Sequence, residues 1–174
     1  MDKNYIEITK EWFDGAVPNY NKFKERRYVS YKGKRFYIDG KNVKFEYRNN
    51  EKEVAGLLQE VFGGTVYTIP NIYYPKEIRT ADYKYINNIL RFNDYVDLKT
   101  INSYGNRIVD NRIKEAKGQA NNFILYFTNS NMTYDKIMNQ IKTLYRSQDR
   151  RWVNTIIVVK DGDIRVFQRA KNKQ

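Results

Sequence analysis

Asp82-Tyr83-Lys84-Tyr85-Ile86-Asn87-Asn88, followed six residues later by Tyr95-Val96-Asp97-Leu98-Lys99-Thr100, is the stretch from which this chain is read. Side chains in a strand change face with every residue, so Val96 and Leu98 take one side and Asp97 and Lys99 the other. The Cα atoms of Asp97 and Lys99 then stand about 6.5–7 Å apart. Residues 82–86 and 95–100 read as two strands around an Asn87-Asn88 turn, and antiparallel pairing through it brings Asp82 beside Asp97. Val96 and Leu98 are expected to face a helix layer, which leaves an acid and an amine projecting together. Taken alone, D-x-K is also the spacing of an ordinary surface ion pair.

Working outward, Asn49 and Asn50 offer caps for a helix over 51–62 with acids in its first turn. Val54, Leu57, Leu58 and Val61 form its apolar stripe, and Gly63-Gly64 ends it. Residues 65–69 read as a strand stopped by Pro70, and 71–80 as a loop carrying Pro75. Beyond the central pair come a helix over 106–119, an apolar strand over 122–127, and a helix over 134–147 burying Ile137, Ile141, Leu144 and Tyr145. A hairpin of 154–159 and 164–167 closes the chain around Asp161-Gly162. From Glu51 the order is α-β-β-β-α-β-α-β-β, an α/β fold with a mixed sheet flanked by helices. Before it, 1–27 is an irregular or short-helical lead with a basic cluster over 22–27. Residues 28–31, 35–38 and 43–47 follow as a two- or three-stranded meander turning at Lys32-Gly33 and Asp39-Gly40. The expected organisation is a basic lead and N-terminal β-hairpin extension (1–49), a main domain (50–170) and a tail (171–174).

Composition narrows the chemistry. The 174 residues hold 32 Lys and Arg against 20 Asp and Glu, a net charge of +12, with no cysteine and no histidine. Disulfides, zinc fingers, iron–sulfur clusters, thiol nucleophiles and Ser-His or Cys-His catalysis are thereby excluded. No apolar run approaches the roughly 18 residues of a membrane span, and residues 1–10 lack the apolar core of a secretory signal. A surplus of +12 attracts polyanions, and 16 tyrosines interleaved with Lys and Arg suit base stacking beside phosphate pairing. An AT-rich genome would also favour Lys, Asn, Ile and Tyr.

Without histidine or thiolate, a cluster of carboxylates makes a hard-oxygen site, which selects Mg²⁺ or Mn²⁺ over zinc or copper. Asp82 and Asp97 are the first candidates, with Glu53 from the first turn of the upstream helix. Glu53 equally suits an N-terminal helix acid interacting with the dipole, and Glu51 and Glu60 stay open as further candidates.

These residues resemble the PD-(D/E)XK nuclease superfamily: a helix glutamate (Glu53), a strand-entry aspartate (Asp82), then D-x-K (Asp97, Lys99) and a helix ending in a polar residue. More narrowly, the chain is similar to the C-terminal tRNA nuclease domains of contact-dependent growth inhibition toxins, and to related phage and mobile-element modules. The likeness rests on Glu53-Val54-Ala55, Ala81-Asp82-Tyr83, Asp97-Leu98-Lys99, Lys117-Gly118-Gln119-Ala120, the apolar strand from Phe123 to Phe127, and the run from Ile156 to Gly162. It covers roughly Asn50 to Arg169. Ala81 stands where the superfamily carries proline, and the first fifty residues match no named module.

The resemblance implies that 50–170 is a nuclease domain in which Asp82, Asp97 and Glu53 hold Mg²⁺ (or Mn²⁺). Lys99 would orient or deprotonate the attacking water, and Gln119 would place that water or a phosphate oxygen. Gln119 otherwise reads as a C-terminal capping amide. Lys114, Lys117, Arg146, Arg150 and Arg151 would contact phosphates, although each taken singly suits a solvated helix face. The implied activity is metal-dependent cleavage of RNA, tRNA first, by a toxin acting in a bacterial cytoplasm and neutralised by an acidic immunity protein. The alternatives are a DNA endonuclease of a phage or mobile element, and a basic module that binds nucleic acid or protein without cutting.

Overall fold

A computed structural model describes residues 4–76, 78–128 and 131–171. In chain order the first half holds β1 (Tyr5–Glu7), α1 (Thr9–Gly15), β2 (Lys24–Glu25), β3 (Tyr28–Tyr31), β4 (Lys34–Tyr37), β5 (Val43–Lys44), α2 (Glu51–Phe62), β6 (Thr65–Thr68) and β7 (Asn71–Ile72). The second holds β8 (Tyr83–Asn87), β9 (Phe92–Ile101), α3 (Ile108–Lys114), β10 (Asn122–Phe127), α4 (Tyr134–Arg146), β11 (Thr155–Lys160) and β12 (Asp163–Arg169). The result is an α/β protein with a large mixed sheet and flanking helices. Two compact units compose it, Phe13–Asp97 and the pair of segments Met1–Trp12 and Leu98–Gln174. Strand β9 begins in the first unit and ends in the second. The expected tail beyond residue 171 lies outside the described residues.

In the Phe13–Asp97 unit the strand order is β9-β8-β6-β2, with β2 parallel to β6 and the other pairs antiparallel. The β8–β9 register sets Tyr83 across from Val96, so one step further along Asp82 comes level with Asp97. Helix α2 covers the face bearing Tyr83 and Tyr85. Polar side chains fasten it there: the Tyr83 hydroxyl donates to the Glu51 carbonyl (2.6 Å), and the Tyr85 hydroxyl to the Gly63 carbonyl (2.7 Å). Gln59, fully buried, accepts from the Val66 N–H (2.8 Å) and donates to the Asn21 carbonyl (2.6 Å). Buried apolar contacts from Val54, Ala55, Leu58 and Phe62 supply the rest of the docking free energy. The opposite side of β9 packs Tyr95 against a small cluster of Val29, Val43, Ile69 and Ile72.

Three local expectations change here. Asn50 gives no side-chain cap to α2; it adopts φ 73°, a left-handed turn that asparagine tolerates, and redirects the chain by its backbone. The meander stops at two strands, because β5 pairs with β7 and not with β4. Asp39 causes this: its Oδ1 accepts from the N–H groups of Lys41, Asn42 and Val43 (2.8, 2.7 and 3.0 Å), forming a side-chain-built loop where a hairpin turn was expected. The stripe of α2 is rotated, so that Ala55, Gln59 and Phe62 are buried while Leu57 and Val61 are only half-buried.

In the other unit β12 is flanked by β1 and β11, both antiparallel, and β11 runs parallel to β10. Helices α3 and α4 cover a core that includes Phe123, Leu125, Ile156, Val158, Ile137, Ile141 and Leu144. Gln140 of α4 ties them together, accepting from Val109 N–H (3.1 Å) and donating to the Gly105 carbonyl (2.8 Å). Helix α3 is shorter than expected, ending at Lys114. The chain then tightens into i→i−3 turns, with Ala116, Lys117 and Gln119 N–H groups bonding to Ile113, Lys114 and Ala116, and passes Gly118 at φ 88°. The expected lead is not wholly irregular, since β1 pairs with β12 from Tyr5↔Arg169 onward.

Candidate active site

Three carboxylates of the Phe13–Asp97 unit act on one another. Asp97 is 3% exposed, and Asp82 and Glu51 are half-buried. Burial first, and the negative charge of Asp97 as well, push the Glu51 carboxyl above the usual carboxylate range. A hydrogen bond with the Asp82 side chain, the Arg48 backbone N–H and the Arg48 charge pull the other way. The phenol of Tyr83 reports the same neighbourhood: burial raises its pKa, and the charges of Asp82, Glu51 and Asp97 raise it further. Tyr47 stands next to the group. Its hydroxyl donates to Glu25 (2.9 Å) and lies 3.2 Å from the Thr68 hydroxyl, and burial raises it to about 12.

Helix geometry explains why Glu51 takes part where Glu53 was expected. Residues advance about 100° around a helix axis, so Glu51 and Glu53 point to nearly opposite sides. Glu51 precedes the buried Val54, Ala55 and Leu58 by three, four and seven residues, which places it on the face toward the sheet. Glu53 lies exposed and is not among the charges bearing most strongly on Glu51 or Tyr83. The periodicity that identified the helix thus also held the signal for Glu51.

Asp97 departs from the simple two-faced strand: Val96 and Asp97 are both buried, so each side of β9 is covered at this point. Lys99 follows two residues later on β9 and is half-buried. Gln119 belongs to the other unit, half-buried in the turns after α3, with no helix end to cap. Lys114, Lys117, Arg146 and Arg151 are exposed in that unit. Arg150 is committed elsewhere: its guanidinium grips Asp110 of α3 at two points (Nε–Oδ1 2.7 Å, NH2–Oδ2 3.2 Å), joining α3 to the turn after α4. Arg146 and Arg151 line a polar cleft of about 300 Å³ with Arg169, whose three guanidinium nitrogens each donate to a carbonyl, of Val153, Tyr145 and Arg150.

The carboxylates offer only oxygen donors, the chemistry of a hard divalent cation. As arranged, no three acidic, histidine or cysteine side chains among the described residues form a ready metal-binding group. A divalent cation beside Glu51, Asp82 and Asp97 would offset the charge that raises Glu51, so the donor set suits such an ion in chemistry. Among the described residues no helix is long and apolar enough to cross a membrane.

Residues 80–164 match the family model of the contact-dependent growth inhibition CdiA C-terminal domain, a segment that takes in β8 through β11 with Asp82, Asp97, Lys99 and Gln119. Over that segment, just under half of the chain, the sequence is similar to this family of growth-inhibition toxin domains. A solved structure, the CdiA-CT/CdiI toxin and immunity complex from Burkholderia pseudomallei, is 19% identical, with 68% of this chain and 82% of that chain covered at a TM-score of 0.49. No curated protein matches.

Proposed function

We propose that the chain is the nuclease domain of a growth-inhibition toxin, cleaving RNA, tRNA first, at Glu51, Asp82 and Asp97 with Mg²⁺ or Mn²⁺. The observation that carries this is the gathering of three carboxylates: Glu51 hydrogen-bonds to Asp82, and burial together with the charge of the buried Asp97 holds its carboxyl above the ordinary range. Gathering like charges in a covered position costs stability, and such clusters are characteristic of functional sites. Their order along the chain is that of a PD-(D/E)XK nuclease, with Glu51 in the helix position in place of Glu53.

In this scheme Asp82, Asp97 and Glu51 hold the cation. When bound, the ion supplies positive charge to the phosphate and its leaving oxygen. Lys99 orients the attacking water and offsets the charge that builds on the phosphorane. The Tyr83 hydroxyl holds the first turn of α2, and so Glu51, in place through the Glu51 carbonyl. A net charge of +12 draws in the polyanionic substrate, and the same surface suits an acidic immunity protein captured at a high rate.

Purified tRNA and plasmid DNA, each with Mg²⁺ and with chelator, test this against wild type, Lys99→Ala and Asp97→Asn. Expected is tRNA cleavage that needs the ion and falls at least a hundredfold in both variants. Cleavage surviving chelation and both substitutions would reject the mechanism. Cutting of plasmid alone would reassign the substrate to DNA, and binding without cutting would leave a non-enzymatic module.

A further inference from the structure

The two-stranded β3–β4 sheet turns at Lys32-Gly33 and pairs Tyr28 with Tyr37 and Ser30 with Arg35. Two guanidiniums share the ring of Tyr28: Arg26 lies 4.5 Å and Arg35 4.4 Å from its centroid. The Tyr37 ring is centred 5.8 Å from that of Tyr28 and is 59% exposed. Arg26 also donates to the hydroxyls of Tyr28 (2.9 Å) and Tyr95 (3.1 Å), the latter two residues before Asp97 on β9. Neither arginine makes an ion pair with a carboxylate among the described residues. Residues 22–37 hold seven Lys and Arg against the single acid Glu25.

Two cations on one ring with no acid to offset them repel each other, and an incoming anion relieves that repulsion. An acidic polypeptide would satisfy the arginines but has no use for an open tyrosine face beside them. Single-stranded nucleic acid uses both, since guanidiniums grip phosphates at two points while a base stacks on the ring. We propose that the β3–β4 hairpin is a single-stranded RNA contact, with Arg26 and Arg35 on successive phosphates and a base stacked on Tyr37. This rests on the RNA-nuclease reading above and adds to it a substrate-holding surface. Residues 28–37 lie outside the segment 80–164 that matches the family model.

Fluorescence anisotropy of a labelled single-stranded RNA dodecamer, in chelator and over a series of salt concentrations, tests the proposal. Each phosphate contact to a single strand contributes about 0.7 to the slope of log K against log salt, so the double variant Arg26→Gln/Arg35→Gln should flatten it by about 1.4. Tyr37→Ser should weaken binding about tenfold at unchanged slope. Arg35 and Tyr37 are exposed, so Arg35→Gln and Tyr37→Ser keep the fold and serve where the double variant does not. Tight wild-type binding that neither single variant alters would overturn the RNA contact while leaving the nuclease reading, scored separately by cleavage, intact. No wild-type binding to RNA and no cleavage would overturn both. If Arg35→Gln lost affinity for poly-L-glutamate while Tyr37→Ser bound RNA as wild type does, the surface would belong to an acidic protein and the proposal would be wrong.

Discussion

Gln59→Leu removes the polar bridge that holds α2 on the sheet. Gln59 is fully buried, its amide nitrogen bonded to the Asn21 carbonyl at 2.6 Å and its oxygen accepting from Val66 N–H at 2.8 Å. Leucine has nearly the same volume, so little cavity forms and the change is chiefly one of lost hydrogen bonds. Asn21 is exposed, and water replaces the lost donor to its carbonyl at small cost. Val66 is fully buried, and its N–H is left without an acceptor, at about 1–3 kcal/mol. A net loss of about 2 kcal/mol lowers Tm by roughly 4–8 °C in a chain of this size. Thermal and urea melts should show that loss with an unchanged denaturant slope. Glu60→Gln, exposed on the same helix, should stay within about 0.5 kcal/mol of wild type. A loss below about 0.5 kcal/mol in Gln59→Leu would mean that the Gln59 bridge contributes nothing to docking α2, and would refute that part of the account of how the helix is held.

Glu51→Gln should raise Tm of the metal-free protein at neutral pH, a cost the wild type bears for its carboxylate cluster. The folded Glu51 carboxyl titrates above its unfolded value, so the stability tied to its protonated form is full below the ordinary carboxylate range and is lost as pH rises through the folded pKa. The gain of Glu51→Gln over wild type should therefore grow between about pH 4 and pH 7; a constant or shrinking gain contradicts the shift. Gly63→Ala should cost more than about 1–2 kcal/mol, because φ is +78° and a Cβ there collides with the Val17 carbonyl; a melt within 1 °C of wild type would show that loop yielding freely.

Much of the architecture was written in short-range pattern. The helix over 51–62 and the strand over 122–127 appear at their expected bounds, and Ile137, Ile141, Leu144 and Tyr145 are the buried face of α4. The antiparallel register that levels Asp82 with Asp97 also follows from a local turn. What escaped was decided by side chains acting at a distance or by a choice between equals. Strand β1 pairs with the far end of the chain, a partner that three residues cannot announce. Asp39 converts an expected hairpin turn into a side-chain-built loop, and Asp110 takes Arg150 out of the set of open phosphate contacts. Glu51 and Glu53 both suit a first helical turn by charge; only the phase of the buried residues separates them.

The claim on which the function depends is that Glu51, Asp82 and Asp97 serve one divalent ion. Calorimetric titration of Mn²⁺ into metal-free protein tests it most directly. One site per chain is predicted for wild type and Glu53→Gln, and none for Asp97→Asn or Glu51→Gln. A wild type that takes up no Mn²⁺, or an Asp97→Asn variant that binds it as the wild type does, would contradict the account.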